Sequence, residues 1–327
     1  MRIAILILAY KNVDQLNRLV AHLAEDFGVF VHLDRKSALT AADVLTHDRV
    51  DVASKYRVYW GSFNQIRAMI DLLERAYREG YDRYLLITGQ DIPIRPNSEM
   101  IEFFRDNHDE FIECTPLPCA FWFDGGLGRL TRYHANSGRG VTGVRKFAIL
   151  LMRVYFKFIR SVLRVRRRLD YDFYGGEGAF NLSKGCVGHI LDYISGNPSY
   201  LRRFRYTACA DEIFFQTIIM NECSECSIVN ASLRYADWRT GPESPRILRV
   251  SDYKQVRDSG MLFARKVDDH VDRQISDLLY ADAARTGPHR GIDSSEWSVW
   301  SLSRRGTLPA ALVGPPCVSE PQEPKEL

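Results

Sequence analysis

The chain reads as an α/β protein with a Rossmann-like mixed sheet flanked by helices, and three observations carry this. It opens on an apolar run, Met1-Arg2-Ile3-Ala4-Ile5-Leu6-Ile7-Leu8-Ala9-Tyr10, too short to span a bilayer and suited to a strand buried on both faces. A helical pattern over 13–25, with Leu16, Leu19, Val20 and Leu23 on one face, then leads into Val29-Phe30-Val31-His32-Leu33-Asp34, which completes a β-α-β opening. Finally Tyr84-Leu85-Leu86-Ile87-Thr88 reads as a buried strand running into Gly89-Gln90-Asp91-Ile92-Pro93. A turn at a strand's carboxyl end is where open α/β sheets bind ligands.

Between these, Arg57-Val58-Tyr59-Trp60 precedes Gly61-Ser62, and Ser62 is a candidate cap for a helix carrying Ile66, Met69, Ile70, Leu73 and Tyr77. An aromatic and glycine-rich region over 116–143 suits substrate-facing loops. Further elements are expected at 178–183, as a helix at 187–194, as an amphipathic segment opening at Asp211-Glu212, as a strand at 227–235 and as a last helix at 271–284. The tail, 286–327, is rich in proline, serine and glycine and is expected to be largely disordered.

With 327 residues, 46% hydrophobic and 26% charged, the chain has the composition of an ordinary globular protein with a sizeable core. Its net charge of +3 gives no overall case for a nucleic-acid partner, and none is expected. The 7 cysteines are odd in number and scattered, which fits reduced thiols in a cytoplasmic protein. Cys223-Ser224-Glu225-Cys226 has redox or zinc spacing, but no second pair or histidine lies at metal-finger spacing, so no metal is expected.

Residues 145–168 stand apart. Arg145, Lys146, Arg153, Lys157, Arg160, Arg164, Arg166 and Arg167 alternate with aromatic and aliphatic residues, and no acid interrupts them. Such a basic amphipathic helix either lies at an anionic membrane surface or packs on the domain with its arginines in solvent.

Two clusters point to chemistry. Glu212, beside Asp211 at a helix start, is suited to take a proton from a bound hydroxyl, although a first-turn acid is also favoured by the helix dipole alone. Lys266, with Arg265 in Leu262-Phe263-Ala264-Arg265-Lys266, is suited to hold a leaving diphosphate. A base and a cationic clamp together are what sugar transfer from a nucleotide donor requires.

Several stretches, in their order and spacing, resemble the core-2/I-branching β-1,6-N-acetylglucosaminyltransferases and peptide O-xylosyltransferases. They are Val31-His32-Leu33-Asp34, Trp60-Gly61-Ser62-Phe63, residues 85–94 and 178–183, Asp211-Glu212, Leu233-Arg234-Tyr235-Ala236-Asp237-Trp238 and residues 262–266. The resemblance spans most of 2–280 and implies a GT-A-type glycosyltransferase domain over 1–285, with a nucleotide-binding half (1–115) and an acceptor-binding half (116–285). It implies an inverting enzyme using a UDP-sugar, of N-acetylglucosamine or xylose, and needing no metal. Consistent with that, Asp91 follows Gly89-Gln90, so a second carboxylate for a metal pair is missing at this turn.

By the same resemblance Glu212 is the catalytic base and Lys266 binds the diphosphate. Arg246 is the preferred companion arginine, with Arg249 and Arg239 as alternatives. Arg265, Asp34 and Asp91 are expected near the nucleotide. Tyr235, Asp237 and Trp238 match an acceptor-contacting segment, with core packing of Trp238 the alternative. Eukaryotic-type anchors and disulfides are not evident, so the resemblance implies a bacterial-type cytoplasmic enzyme. Its acceptor would be a glycan, a polysaccharide or a lipid-linked molecule, and helix 145–168 would sit at the inner membrane face. A noncatalytic nucleotide- or carbohydrate-binding protein and a membrane-surface scaffold are the competing readings. Nothing in the spacing points to the paired acids of a glycoside hydrolase.

Overall fold

The computed structural model describes residues 1–120, 122–135, 143–239, 244–284 and the backbone of 299–301. The strands are β1 (Ile3–Ala9), β2 (Gly28–Leu33), β3 (Val50–Ala53), β4 (Arg83–Thr88), β5 (Ile92–Pro93), β6 (Glu110–Ile112), β7 (Thr115–Pro116), β8 (Tyr174–Gly175), β9 (Phe180–Ser183), β10 (Ser227–Val229), β11 (Arg234–Ala236), β12 (Phe263–Arg265) and β13 (Val299–Ser301). The helices are α1 (Val13–Ala24), α2 (Phe63–Arg78), α3 (Asn97–Asp106), α4 (Leu127–Thr131), α5 (Gly143–Ser161), α6 (Lys184–Gly196), α7 (Pro198–Arg203), α8 (Phe214–Glu222), α9 (Tyr253–Arg257) and α10 (Arg273–Ala283).

The main sheet has the order β13-β10-β6-β9-β4-β1-β2-β3 and is mixed, as expected. β1 runs parallel to both β2 and β4, whereas β9 lies antiparallel between β4 and β6. Side-chain alternation along β1 feeds two cores. Ile3, Ile5 and Ile7 face α1 and α3, while Ala4 and Leu6 face α2, α6 and α8. Leu16, Leu19, Val20 and Leu23 of α1 are fully buried, each worth about 1.5–3 kcal/mol against leaving it in water. A small sheet of order β11-β12-β5 rests on a third core, with Leu248, Ile275 and Leu279 beneath it.

Two expectations need amending. The segment after Asp211-Glu212 is not amphipathic: Phe214, Phe215, Gln216, Thr217, Ile218 and Ile219 of α8 are all buried, because the helix is covered from several sides. The expected strand over 227–235 is two strands in different sheets. Leu233, at φ 60°, turns the chain between them, and β10 pairs with β6 while β11 pairs with β12. Most of the 286–327 tail lies outside the described residues, and within it Val299–Ser301 pairs antiparallel with β10 at the sheet edge.

Arg234 joins the two sheets. Its buried guanidinium donates to Asn181 Oδ1 at 2.7 Å, to Leu86 O at 2.7 Å and to Ser232 O. Replacing it by an apolar residue takes a charged donor away from three buried acceptors at once. Arg234→Met should therefore lower unfolding stability by roughly 2–4 kcal/mol in a denaturant titration, and an unchanged midpoint would show that this strut is dispensable.

Candidate active site

The strand order reverses between β1 and β4, so a crevice opens beyond their carboxyl ends. Three loops meet there. Gln15 binds them together, donating to Gly89 O at 3.0 Å and Val267 O at 3.1 Å and accepting from Asp269 N at 3.0 Å. Lys11, just past β1, pairs with Asp268 at 2.7 Å. Asp34, just past β2, is buried; it accepts from Val58 N at 3.0 Å and pairs with Lys36 at 2.5 Å.

Lys266 enters this crevice from the end of β12. Its ammonium makes no hydrogen bond or ion pair among the described residues. Burial, then the neighbouring charges of Arg265 and Lys11, push its pKa below the usual lysine value, and Asp91 partly opposes them. A cation in that state gains from an incoming anion.

Arg265 connects the crevice to a cluster of carboxylates. It reaches Glu177 at 3.0 Å on one side and Asp91 at 3.6 Å on the other. Asp91 also accepts from Thr88 Oγ1 at 2.7 Å, while its Oδ1 and Arg265 Nε are buried without a hydrogen-bond partner among the described residues. Glu177 N donates to Glu113 at 3.1 Å, which draws a second carboxylate into the group. Burial, then the Glu177 charge, pushes Glu113 up to about 7. Gly176 permits this approach, since a Cβ there would collide with the Glu113 carbonyl.

Asp211 and Glu212 occupy a tight turn, Ala210–Glu212, immediately before α8. Asp211 is buried and accepts from Gln65 at 2.7 Å; burial, then Glu212, pushes its pKa up to about 7. Glu212 points outward with 30% of its side chain exposed, paired at 2.5 Å with Arg129, whose guanidinium lies 4.1 Å over the Trp122 ring. Burial raises the Glu212 pKa, and Arg129 works against that rise. The result is an accessible carboxylate of enhanced basicity, beside a cation that can release it.

Tyr235 lies half-buried at the end of the small sheet, and Trp238 is 37% exposed, so Trp238 is no core residue. Asp237 is buried between Arg239 and Arg246, whose hydrogen bonds hold it well below the usual carboxylate range. Arg246 also contacts both oxygens of Asp252, at 2.8 and 2.6 Å. The arginine expected in the clamp is thus held by two carboxylates, one of them the expected acceptor contact.

Helix α5 turns its apolar stripe outward. Phe147, Leu150, Leu151, Val154, Tyr155 and Phe158 are each half or more exposed, while Ile159 packs inward. Its opposite face borders a cavity of about 440 Å³ lined by Arg153, Lys157 and Arg160 together with Trp60, Arg132 and Tyr133. Cys209 is part of the same wall, and its carbonyl accepts from Glu212 N at 3.2 Å. Glu212 is not itself among the residues that line this cavity; it follows Cys209 in the same turn. Among the described residues, no helix is long and apolar enough to cross a membrane.

Sequence reasoning singled out Glu212, Lys266, Arg265 and Asp91, which the fold gathers along one crevice. It missed Arg129, Glu113, Glu177 and Lys11. Lys11 carried a signal, its position just after a buried parallel strand, but Arg129 in the short helix α4 and Glu113 in the link between β6 and β7 carried none.

The fold thus sets a cationic crevice at the strand ends of a mixed α/β sheet and a partly exposed carboxylate, Glu212, at the turn before α8. The profile of the Core-2/I-Branching enzyme family matches residues 3–258, and the chain belongs to that family of glycosyltransferases. It is 24% identical over 308 residues to xylosyltransferase 2 of Canis lupus familiaris and of Homo sapiens, covering 85% of this chain and 33% of theirs. The chain thus spans about a third of the length of these curated relatives. Among solved structures it overlaps 4-diphosphocytidyl-2C-methyl-D-erythritol synthase (TM-score 0.33, 12% identity, 79% of this chain and 97% of that one). It also overlaps mannose-1-phosphate geranyltransferase of Thermus thermophilus (TM-score 0.30, 11% identity, 63% of this chain and 64% of that one).

The raised Asp211 pKa has a thermodynamic consequence. The folded state holds its proton up to about 7, whereas the unfolded chain releases it near the ordinary value of 3.8, so this group's contribution to stability is lost as pH rises through that window. Asp211→Asn, which cannot ionise, should gain thermal stability relative to wild type between about pH 5 and about pH 8. Parallel melting curves across that range would contradict the assignment.

Proposed function

We propose that the protein is an inverting, metal-independent glycosyltransferase that moves N-acetylglucosamine or xylose from a UDP-sugar to a hydroxyl of a glycan, glycolipid or polysaccharide. The observation that carries this is Glu212. It is the accessible acid of the cluster, its proton affinity is raised by burial, and it stands in the turn that follows Cys209 of the basic cavity's wall. A hydroxyl is a poor nucleophile until a base takes its proton during attack, and a carboxylate titrating above its ordinary value is a better base near neutrality. Arg129 holds Glu212 ionised before the acceptor arrives.

In this reading the diphosphate sits at the carboxyl ends of β1 and β4, against Lys266. Lys11, paired with the single carboxylate of Asp268 and close enough to act on the Lys266 charge, is the second cation, whereas Arg246 is engaged by both Asp237 and Asp252. Arg265 orders the site behind them and adds positive field. Asp34 is a fixed acceptor for the nucleoside, and Tyr235 and Trp238 offer aromatic surface to the acceptor. Metal independence is supported by Asp91: its carboxylate is directed at Thr88 and Arg265, and Gly89 and Gln90 supply no companion acid. The GT-A-type fold is part of the same proposal.

The acceptor is proposed to be presented at a membrane. An exposed apolar stripe flanked by basic residues and free of acids from 143 to 169 is complementary to an anionic bilayer. Of the two roles open to this helix, the outward apolar face favours this one.

Glu212→Gln should reduce UDP-sugar turnover about a hundredfold or more while leaving UDP affinity unchanged. Lys266→Ala should weaken UDP binding, and added Mg²⁺ or Mn²⁺ should not raise the rate of dialysed wild-type protein. Near-normal transfer by Glu212→Gln would remove the base assignment, and a metal-stimulated rate would remove the metal-independent one. In flotation assays the protein should rise with phosphatidylserine-containing vesicles and not with pure phosphatidylcholine. Phe147→Ser together with Leu151→Ser should abolish this; equal flotation by wild type and variant would exclude α5 as the contact.

A further inference from the structure

Far from the crevice, three cysteines converge. The sulfur atoms of Cys186, Cys223 and Cys226 all lie within 4.8 Å of one another, and none of the three is in a disulfide. Cys186 comes from the first turn of α6, whose cap Ser183 accepts from Cys186 N at 3.2 Å. Cys223 closes α8, and Cys226 directly precedes β10. A turn with Cys226 N donating to Cys223 O at 3.1 Å brings these two side chains together. His189 lies three residues after Cys186 on α6, hence on the same helix face, and it is exposed.

We propose that Cys186, Cys223, Cys226 and His189 form a structural zinc site. Zinc bonds of about 2.3 Å to sulfur set tetrahedral thiolates about 3.8 Å apart, so this cluster needs little closing to bind the ion. Cys186 on a helix and Cys223-x-x-Cys226 in a turn supply three thiolates already gathered, and His189, which lies outside that close group, would turn in as the fourth ligand. Soft thiolates with one imidazole favour Zn²⁺ over the hard divalent ions. The thiols release their protons to solvent on binding.

Its location makes the site structural rather than catalytic. Ser183, at the end of β9 and just before Cys186, pairs with Arg83 at the start of β4, whereas Asp91 lies beyond the end of β4. The cysteines thus sit at the opposite edge of the sheet from the crevice. There the ion would tie α6 to the turn linking α8 with β10, a junction where Cys186 and Cys223 already pack in the same apolar core.

Elemental analysis of the full chain, purified under reducing conditions without chelator, should find one zinc per chain. Cobalt titrated into the zinc-depleted protein should give a thiolate-to-cobalt charge-transfer band and tetrahedral ligand-field bands. His189→Ala, at an exposed position where folding is not at risk, should keep the charge-transfer band and weaken zinc affinity about tenfold or more. Cys226→Ser should lower the zinc content, and Cys119→Ser should leave it unchanged. A reduced, folded protein that binds no zinc and develops no cobalt charge-transfer band would overturn the proposal. So would a Cys223 to Cys226 disulfide that persists in the purified protein with zinc in excess.

Discussion

The guanidinium of Arg265, set between Asp91 and Glu177, holds the functional end of this molecule together. Those carboxylates belong to different segments, one beyond β4 and the other before β9, and Arg265 itself ends the central strand of the small sheet. Without a cation among them, Asp91, Glu113, Glu177 and Asp211 would form a buried anionic cluster of a kind that proteins do not tolerate unpaired. Burial works against the Arg265 charge, yet the Asp91, Glu177 and Asp211 carboxylates outweigh it and hold its pKa above the usual arginine value. The pairing therefore sets where β12 must dock, and Lys266 is carried into the crevice by the same strand.

The acidic surplus around Arg265 also explains how neighbouring carboxylates come to differ. Asp211 is enclosed and retains its proton toward neutrality, whereas Glu212 has a solvent-facing side and Arg129 to favour ionisation. Adjacent residues in one turn thus divide into an enclosed acid that retains its proton and a partly exposed carboxylate paired with a cation. Backbone direction decides this: the turn before α8 points one side chain toward Gln65 and the other toward Arg129.

Helix α5 illustrates a different constraint. Arg153, Lys157 and Arg160 on its basic side border the cavity while remaining exposed, and the apolar side is left outward as well. An exposed stripe of this size is costly in water unless something covers it.

Much of the scaffold was legible in local pattern. β1, α1, β2, α2, β4, β9 and α6 follow from apolar runs and helical periodicity, because strands buried on both faces and one-sided helices leave a periodic trace. The family resemblance added Glu212, Lys266 and Asp91, since those residues recur within short ordered motifs. What local pattern does not carry is pairing across the chain. The break at Leu233 that sends β10 and β11 to different sheets leaves no periodic trace. Arg129 opposite Glu212, Glu177 opposite Arg265 and the two carboxylates that occupy Arg246 are likewise contacts between distant segments. Cys223 and Cys226 read as an isolated pair until α6 brings Cys186 beside them. By itself the sequence determined which segments are buried, which are helical and which residue types are present for transfer chemistry. Tertiary structure alone decided which charges meet, because ion pairing depends on distance in space and long-range packing sets that distance.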